Sequence, residues 1–501
     1  MRKRYLLLLF LAMLGLNCAW NSGTAVLPQE TFYYVAVNGS DTTGNGSEAR
    51  PWATISHALD SVPDGTTILV QPGTYFGQVD LRGTFIMGVT VRSAVPYQAR
   101  LRHDHIVVTC FYGQGITLEG FDIAHSGPGA EPYVIQIQDL RGDVSGDEDA
   151  VSRIVFRNNV LHDSYNDDIV KLNNGARQVT FSGNIFYNQG GPGLDSHIDI
   201  NSVTDVIIQD NIFFNDFAGS GRVNNNDMGS YIVIKDSNGD HDANLGSHNI
   251  IVRRNILLNW EGDISNSFIA VGEDSVSYFQ ASDVRIENNL MLGNSPNPMR
   301  AVLVVRGIRN LVFRHNTIVG DLPSKAFAMR LDTQNKNPNN QQIDFYNNIW
   351  SDPTGTMGAN LAEENDFSDT PPRETDSYTL LNNLYWNGGN SLPLDDRELV
   401  NYLDDPQRLV DNPLLAAVGT VLLPRWEPEN GRFADGSTTI REAFINLVQT
   451  YAVPDPCSAT IDTADPAYAP VDDILGNMRE LDQLPDIGAY ELILPKLECS
   501  S

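Results

Sequence analysis

The 501-residue sequence predicts an all-β fold, a right-handed parallel β-helix, on three observations. The first is a phrase that recurs between Ile154 and Asn387: apolar, any residue, apolar, two variable residues, asparagine, then a second apolar stretch. Its asparagines are Asn159, Asn184, Asn211, Asn255, Asn289, Asn316, Asn348 and Asn383. Self-similarity at the spacing of one structural repeat marks a solenoid. The second is alternation. The column three residues before the asparagine holds Phe156, Phe181, Ile208, Val252, Ile286, Phe313, Phe345 and Leu380, and the column five before is equally apolar. A period of two buries one face of a strand. Asparagine tolerates the left-handed backbone of a sharp corner, and its amide can bond to the equivalent amide one turn away, so the phrase reads as strand, bend, strand. The third is a short strand before most copies, as in DIVKLNN, HIDINSV, YIVIKDS and AVLVVRG. Three strands per turn, stacked in register, make a β-helix solenoid.

The elements follow in order. Arg2, Lys3 and Arg4 precede an apolar run from Leu6 to Leu16, which is too short to remain as a membrane anchor. Residues 1–25 are therefore expected to be a signal peptide, cut after Ala19 or Ala25, and the protein to be secreted or held at the cell surface. Cys18 stands where a lipoprotein cysteine would, although Gly15-Leu16-Asn17 lacks the small residue usual before it; lipid attachment there is the alternative. No later stretch approaches a transmembrane span.

Residues 26–100 read as an N-terminal cap and first coils. FYYVAVNGSD is a strand, and PWATISHALDSVPDG is a short helix with Trp52, Ile55, Ala58, Leu59 and Val62 at helical spacing. Pro51 suits its first turn and Pro63-Asp64-Gly65 ends it. The strand TTILVQPGTY follows. Such a helix covers an open sheet end that would otherwise template aggregation. Residues 101–390 are the β-helix core. Its repeat spacing varies from 25 residues (Asn159 to Asn184) to 44 (Asn211 to Asn255), which places insertions in loops that usually form the binding face. Residues 391–501 are expected to be a partly irregular closing segment, with helical stretches at DDRELVNYLDD and TIREAFINLVQTY.

Composition bounds the partners. Lys and Arg number 33 against 63 Asp and Glu, a formal charge of −30. Nucleic acid is excluded as a partner because phosphate binding is driven by positive charge. Solubility or divalent cations account better for the acidity. Cys457 and Cys499 could pair in an exported protein, Cys110 lies among apolar neighbours, and no spacing suggests zinc. A monomer is expected.

Chemistry is expected on the short strand before each phrase. Its outward residues stack about 4.8 Å apart along the axis. One row runs Asn173, Asn201, Lys235, Gly272, Arg306 and Asp332, and a neighbouring row holds Lys171, Asp199 and Arg330. Asp167 and Asp168 open one such strand, and Asp195 and Asp199 flank the next. Carboxylates on adjacent rungs can converge on calcium, which takes six to eight oxygens in loose geometry. The stretch Asp236-Ser237-Asn238-Gly239-Asp240-His241-Asp242 spaces oxygens like the front of a calcium loop but lacks the distal glutamate, and common turns have the same composition. His162 and His197 read as structural histidines.

Several stretches resemble known proteins. The opening strand, helix and TILVQPGTY resemble the start of secreted β-helix proteins, and SATIDTADPAYAPVDDILGNMRE with PDIGAYEL resembles the closing segment of surface β-helix proteins. Over residues 160 to 310 the acidic rungs resemble the calcium site of the pectate lyases of polysaccharide lyase family nine. The resemblance implies Asp167, Asp168, Asp195 and Asp199 as calcium ligands and Lys235 as the catalytic base. It departs at Asp195-Ser196-His197, where that family has adjacent aspartates. The implied reaction is β-elimination on a uronic-acid polysaccharide: calcium neutralises the carboxylate, a lysine of lowered pKa takes the C5 proton, and the 4-linked sugar leaves. Lys171, Arg306 and Arg330 would bind the substrate, the arginines gripping its carboxylate. Asp236 and Glu273 are alternative partners that would instead pair with Lys235 and raise its pKa. A polygalacturonase-like hydrolase is a second expectation, though its Gly-His-Gly and Arg-Ile-Lys are missing. A non-catalytic, glycan-binding surface protein is a third.

Overall fold

The protein is described from a computed structural model, over residues 31–140, 151–190, 195–238, 245–322, 325–357, 366–479 and 484–493. The expected signal peptide with Cys18, positions 239–242 of the acidic loop, and Cys499 lie outside them. Among the described residues no helix is long and apolar enough to cross a membrane.

Each coil crosses three parallel ladders. In one coil these are Val170–Asn173, Arg177–Ser182 and Ile185–Tyr187; in the next, Ile198–Asn201, Thr204–Gln209 and Ile212–Phe214. Equivalent strands pair in parallel and in register, so identical columns superpose from coil to coil. This is the parallel β-helix that the repeats predict. Alternation then does its work: Val179 and Phe181 are buried while Gln178, Thr180 and Ser182 are not, and Phe156 stacks on Phe181 with ring centroids 5.4 Å apart.

The asparagine column is a continuous hydrogen-bonded ladder. Each Nδ2 donates to the Oδ1 of the next asparagine at 2.9 to 3.2 Å, from Asn159 through Asn348. The same Nδ2 donates to a backbone carbonyl of the preceding coil, as from Asn184 to Phe156 at 2.9 Å. From Asn184 onward each Oδ1 also takes the backbone N–H of the asparagine one coil earlier, as from Asn159 to Asn184 at 2.9 Å, while Asn159 Oδ1 takes the Phe121 N–H at 2.9 Å. The buried amides of the column are thereby satisfied. One expectation is corrected. The left-handed residue of the bend is not the ladder asparagine but the one before it: Asn158, Gly183, Asp210, Arg254, Asn288, His315, Asn347 and Asn382, with φ between +49° and +67°. The ladder asparagine keeps its amide inside, and its neighbour makes the corner.

The third ladder is buried on both faces, which explains its unbroken apolar runs. Its outer side, with Ile185, Tyr187, Phe214, Ile256 and Leu290, is covered by helix α2 (Ile440–Tyr451) through Ile440, Phe444, Leu447 and Val448. The closing segment thus lies along the coil. DDRELVNYLDD, expected to be helical, forms only a single 3-10 turn at Tyr402–Asp404, and a further short strand, Leu409–Val410, extends the third ladder. At the N-terminus helix α1 (Ile55–Ser61) buries Ile55, Ala58 and Leu59. It is shorter than expected. Thr54 caps it, accepting from the His57 N–H, whereas Trp52 lies in extended chain and stacks on Tyr33. Cys110 is buried and free, and Cys457 is disulfide-bonded to a partner outside the described residues.

Candidate functional site

The first ladder carries the cleft. Its register sets Lys171 beside Asp199, Asn201 beside Lys235, and Arg306 beside Asp332. Asp199, Val233, Ala270, Val304 and Arg330 share one outward column. Its middle three form a small buried apolar cluster apart from the core, a dry strip between an acidic and a basic end. Gly272 follows Val271 between Lys235 and Arg306 and presents no side chain there. The cleft above has a volume of about 720 Å³.

At the acidic end, Asp167, Asp168, Asp199, Glu273 and Asp274 face Lys171 and Lys235. Asp199 Oδ2 takes both ammoniums, Lys171 at 2.9 Å and Lys235 at 3.4 Å. Lys235 also pairs with Glu273 Oε2, and with Asp274 at 3.5 Å. Asp168 Oδ1 accepts the Ser196 N–H at 2.7 Å, and its Oδ2 lies 3.6 Å from Lys171 Nζ. The segment presenting Asp167 and Asp168 is pinned from behind. Arg222 donates to Asp163 Oδ1, to the Asn188 carbonyl and to the Ser164 carbonyl, and His162 bridges Asp122 and Asp163.

At the basic end three guanidiniums alternate with two carboxylates. Arg306 grips Asp332 with Nε and Nη2, both at 3.0 Å. Arg330 Nε donates to Asp332 at 2.8 Å, and Arg330 and Arg300 share Asp369 Oδ2. The aspartates fix the arginines in place and leave one positive charge in excess facing the cleft.

The protonation of this cluster differs from the sequence expectation. Burial favours a neutral Lys235, but Asp199, Glu273 and Asp274 outweigh it and the pKa is raised, so Lys235 is an ammonium at neutral pH. The expected lowering by burial or neighbouring cations is not met, because the neighbours are anions and outweigh the burial. Lys171 is likewise raised, Asp199 and Asp168 overcoming its burial. Burial, with Asp199 nearby, pushes Asp168 well above the usual carboxylate range against the pull of Lys171. Burial also raises Glu273, despite Lys235.

Of the residues expected to act, Asp167, Asp168, Lys171, Asp199, Lys235, Arg306 and Arg330 all line the one cleft. Asp195 is buried but does not line it. Asp236 does not pair with Lys235: its Oδ1 accepts the Asn238 N–H at 2.9 Å and its Oδ2 the Gly246 N–H at 2.6 Å. His197 is internal, bonded to Asn215 and stacked on Tyr231, with burial lowering its pKa to about 3. Sequence reasoning missed Arg300 and Asp274, whereas Glu273 pairs with Lys235 and raises its pKa, as one of the two alternatives expected. Glu273 directly follows the row glycine, a signal that was readable, whereas Arg300 belongs to an irregular connection with no periodicity.

The cleft does not fit a resident calcium ion. Among the described residues no three His, Cys, Asp or Glu side chains are placed to hold a metal together, and a lysine ammonium already lies between Asp168 and Asp199.

No family model matches the sequence, and no curated protein matches it. Solved structures do match in shape. The structure of pectate lyase Pel9A aligns with a TM-score of 0.51 at 14% identity, over 92% of this chain and 97% of that one. The complex of XylC with xylose gives a TM-score of 0.45 at 11% identity, over 92% and 98%. The alginate lyase from Paenibacillus sp. str. FPU-7 gives 0.42 at 14%, over 68% and 94%. The likeness to Pel9A establishes a shared β-helix fold.

Proposed function

We propose that this is an exported, carbohydrate-active β-helix enzyme that binds a uronic-acid polysaccharide along the first ladder and cleaves it by β-elimination. The observation that carries this reading is the polarity of the cleft: an arginine triad at one end and a lysine–carboxylate cluster at the other, across a dry strip. In a chain of charge −30, the one positive charge in excess at the arginine end marks the place in the groove for an anionic group of the ligand. The arginine end meets the sugar carboxylate and withdraws charge from C5, as elimination requires.

Proton transfer then falls to the Lys235 and Glu273 pair. Lys235, held as an ammonium, has no lone pair to offer; the free lone pairs are on the Glu273 carboxylate. Glu273 takes the C5 proton, the C4–O bond breaks as the C4–C5 double bond forms, and Lys235 gives its proton to the departing oxygen. Return of the proton from Glu273 to Lys235 resets the pair. A hydrolase is the second reading, favoured by Asp168, which its raised pKa equips as a general acid.

The test is incubation with polygalacturonate, alginate and chondroitin, following absorbance of the unsaturated product. A rise in absorbance is expected. New reducing ends without absorbance would favour the hydrolase, and retention of polymer without turnover would leave only a binding protein.

A further inference from the structure

We propose that the Lys171 ammonium occupies the place where a divalent cation would bridge Asp168 and Asp199, so that the cleft works without a metal and the carboxylate pair is a latent cation site. The inference rests on the cleft being the working site, as proposed above, but not on which bond is broken there.

Lys171 Nζ lies 2.9 Å from Asp199 Oδ2 and 3.6 Å from Asp168 Oδ2, on a side chain only 15% exposed. The two carboxylates come from successive rungs and are themselves almost fully buried. Two such anions side by side need a cation between them. Lys171 comes from the same strand end as Asp168 and points across to the next rung, so the counter-ion is covalently attached. Lys235 lies 3.4 Å from the same Asp199 Oδ2 but is held chiefly by Glu273 and Asp274, so Lys171 is the cation between the two rungs.

The remaining oxygens show what the pocket lacks and what it keeps. Asp168 Oδ1 is taken by the Ser196 N–H. Asp199 Oδ1 is buried and accepts no hydrogen bond from any described residue. The buried Oγ of Ser196, the residue whose N–H meets Asp168, has no hydrogen-bond partner among the described residues either. Calcium seeks six to eight oxygens, and with the nearer amine gone Asp168 Oδ2 and Asp199 Oδ1 are open to it, Lys235 staying with Glu273 and Asp274. Removing the Lys171 amine should therefore convert the pair from an ion pair into a cation site.

Calcium titration by calorimetry, and the thermal midpoint in calcium against EGTA, test this directly. The wild-type protein is expected to give no saturable heat and no change in midpoint. Lys171→Met is expected to gain weak, saturable binding in the millimolar range and a calcium-dependent rise in the midpoint, by mass action on the folded state. The double variant Lys171→Met with Asp199→Asn is expected to lose that gain. Saturable binding to the wild type that Asp199→Asn abolishes would overturn the proposal. A folded Lys171→Met with no response to calcium would overturn it too. Should Lys171→Met fail to fold, the wild-type titration decides alone. Neither readout depends on turnover, so absence of lyase activity on all three polymers would sink the functional reading and leave the metal result standing.

Discussion

The carboxylate of Asp405 closes the asparagine column at Asn383. Its Oδ2 accepts both the backbone N–H and the Nδ2 of Asn383 at 2.9 Å, and its Oδ1 accepts the N–H of Asn382 at 2.9 Å and of Gln407 at 3.0 Å. Every asparagine in the column hands its donors onward, so the last coil needs a side chain that only accepts. An aspartate is that side chain, and it comes after the repeated phrase has stopped.

Asp405→Asn is therefore expected to destabilise the fold although it is nearly isosteric. Whichever way the amide turns, an NH₂ faces backbone N–H groups that lose their acceptor. Each buried donor left unsatisfied costs about 1–3 kcal/mol. A thermal midpoint by circular dichroism equal to that of the wild type would show that the column needs no terminal acceptor.

Gly272 is expected to tolerate no side chain. Its φ is +85°, and a Cβ there would stand 1.8 Å from the Arg306 carbonyl oxygen. Gly476 has φ +83° with nothing within 4 Å, so it supplies the control. Gly476→Ala should cost only the backbone strain, about 1–2 kcal/mol. Gly272→Ala should cost more and also weaken polymer retention, since the rung carrying Arg306 must shift. Equal losses of midpoint in the two variants would refute the close approach.

Much of this was legible because the repeat sets the register. The asparagines align the second and third ladders, while the first is aligned by its own short alternating strands, which put Lys171 beside Asp199 and Arg306 beside Asp332 although their distances to the next asparagine differ. The left-handed bend residues were not legible as a class, since Asn, Gly, Asp, Arg and His all serve. Asp195 and Arg300 lie in connections where no periodicity fixes direction. The sign of the Lys235 shift stayed open between two alternatives, because it depends on how Glu273 and Asp274, in a turn after their strand, fold back. An aligned column tells which residues are neighbours; it does not tell which charge each one meets.

Asp168→Asn is expected to raise stability at neutral and alkaline pH. A carboxyl whose pKa is raised by folding contributes stability that is complete below the usual aspartate value of about 3.9, and is lost as pH rises through the folded value. Above that range the wild type buries a charge that an amide would not carry, while Oδ1 of the asparagine keeps the Ser196 N–H. The variant should melt higher at about pH 8, and the difference should close towards about pH 4. A lower midpoint at about pH 8 would mean that the contact with Lys171 outweighs burial.

The Lys235 and Glu273 pair gives the sharpest prediction, because the two candidate bases have opposite pH signatures. If Glu273 takes the proton, the rate falls as pH drops through a value above the usual glutamate pKa of about 4.3, and is flat from there into the alkaline range. If neutral Lys235 were the base, the rate would climb throughout, since its ion pairs hold it protonated beyond the usual lysine value of about 10.4. Stability does not confuse the two. A lysine with a raised folded pKa contributes fully below that usual value and loses its contribution only above it, so the fold is unaffected by this group across the neutral range. Glu273→Gln should lower kcat by about 10²- to 10⁴-fold with little change in KM. Lys235→Met should lose activity as well, and should melt lower at neutral pH because it strands Glu273 and Asp274. Glu273→Gln that retains kcat, alongside a rate still rising past about pH 10, would return the base to Lys235.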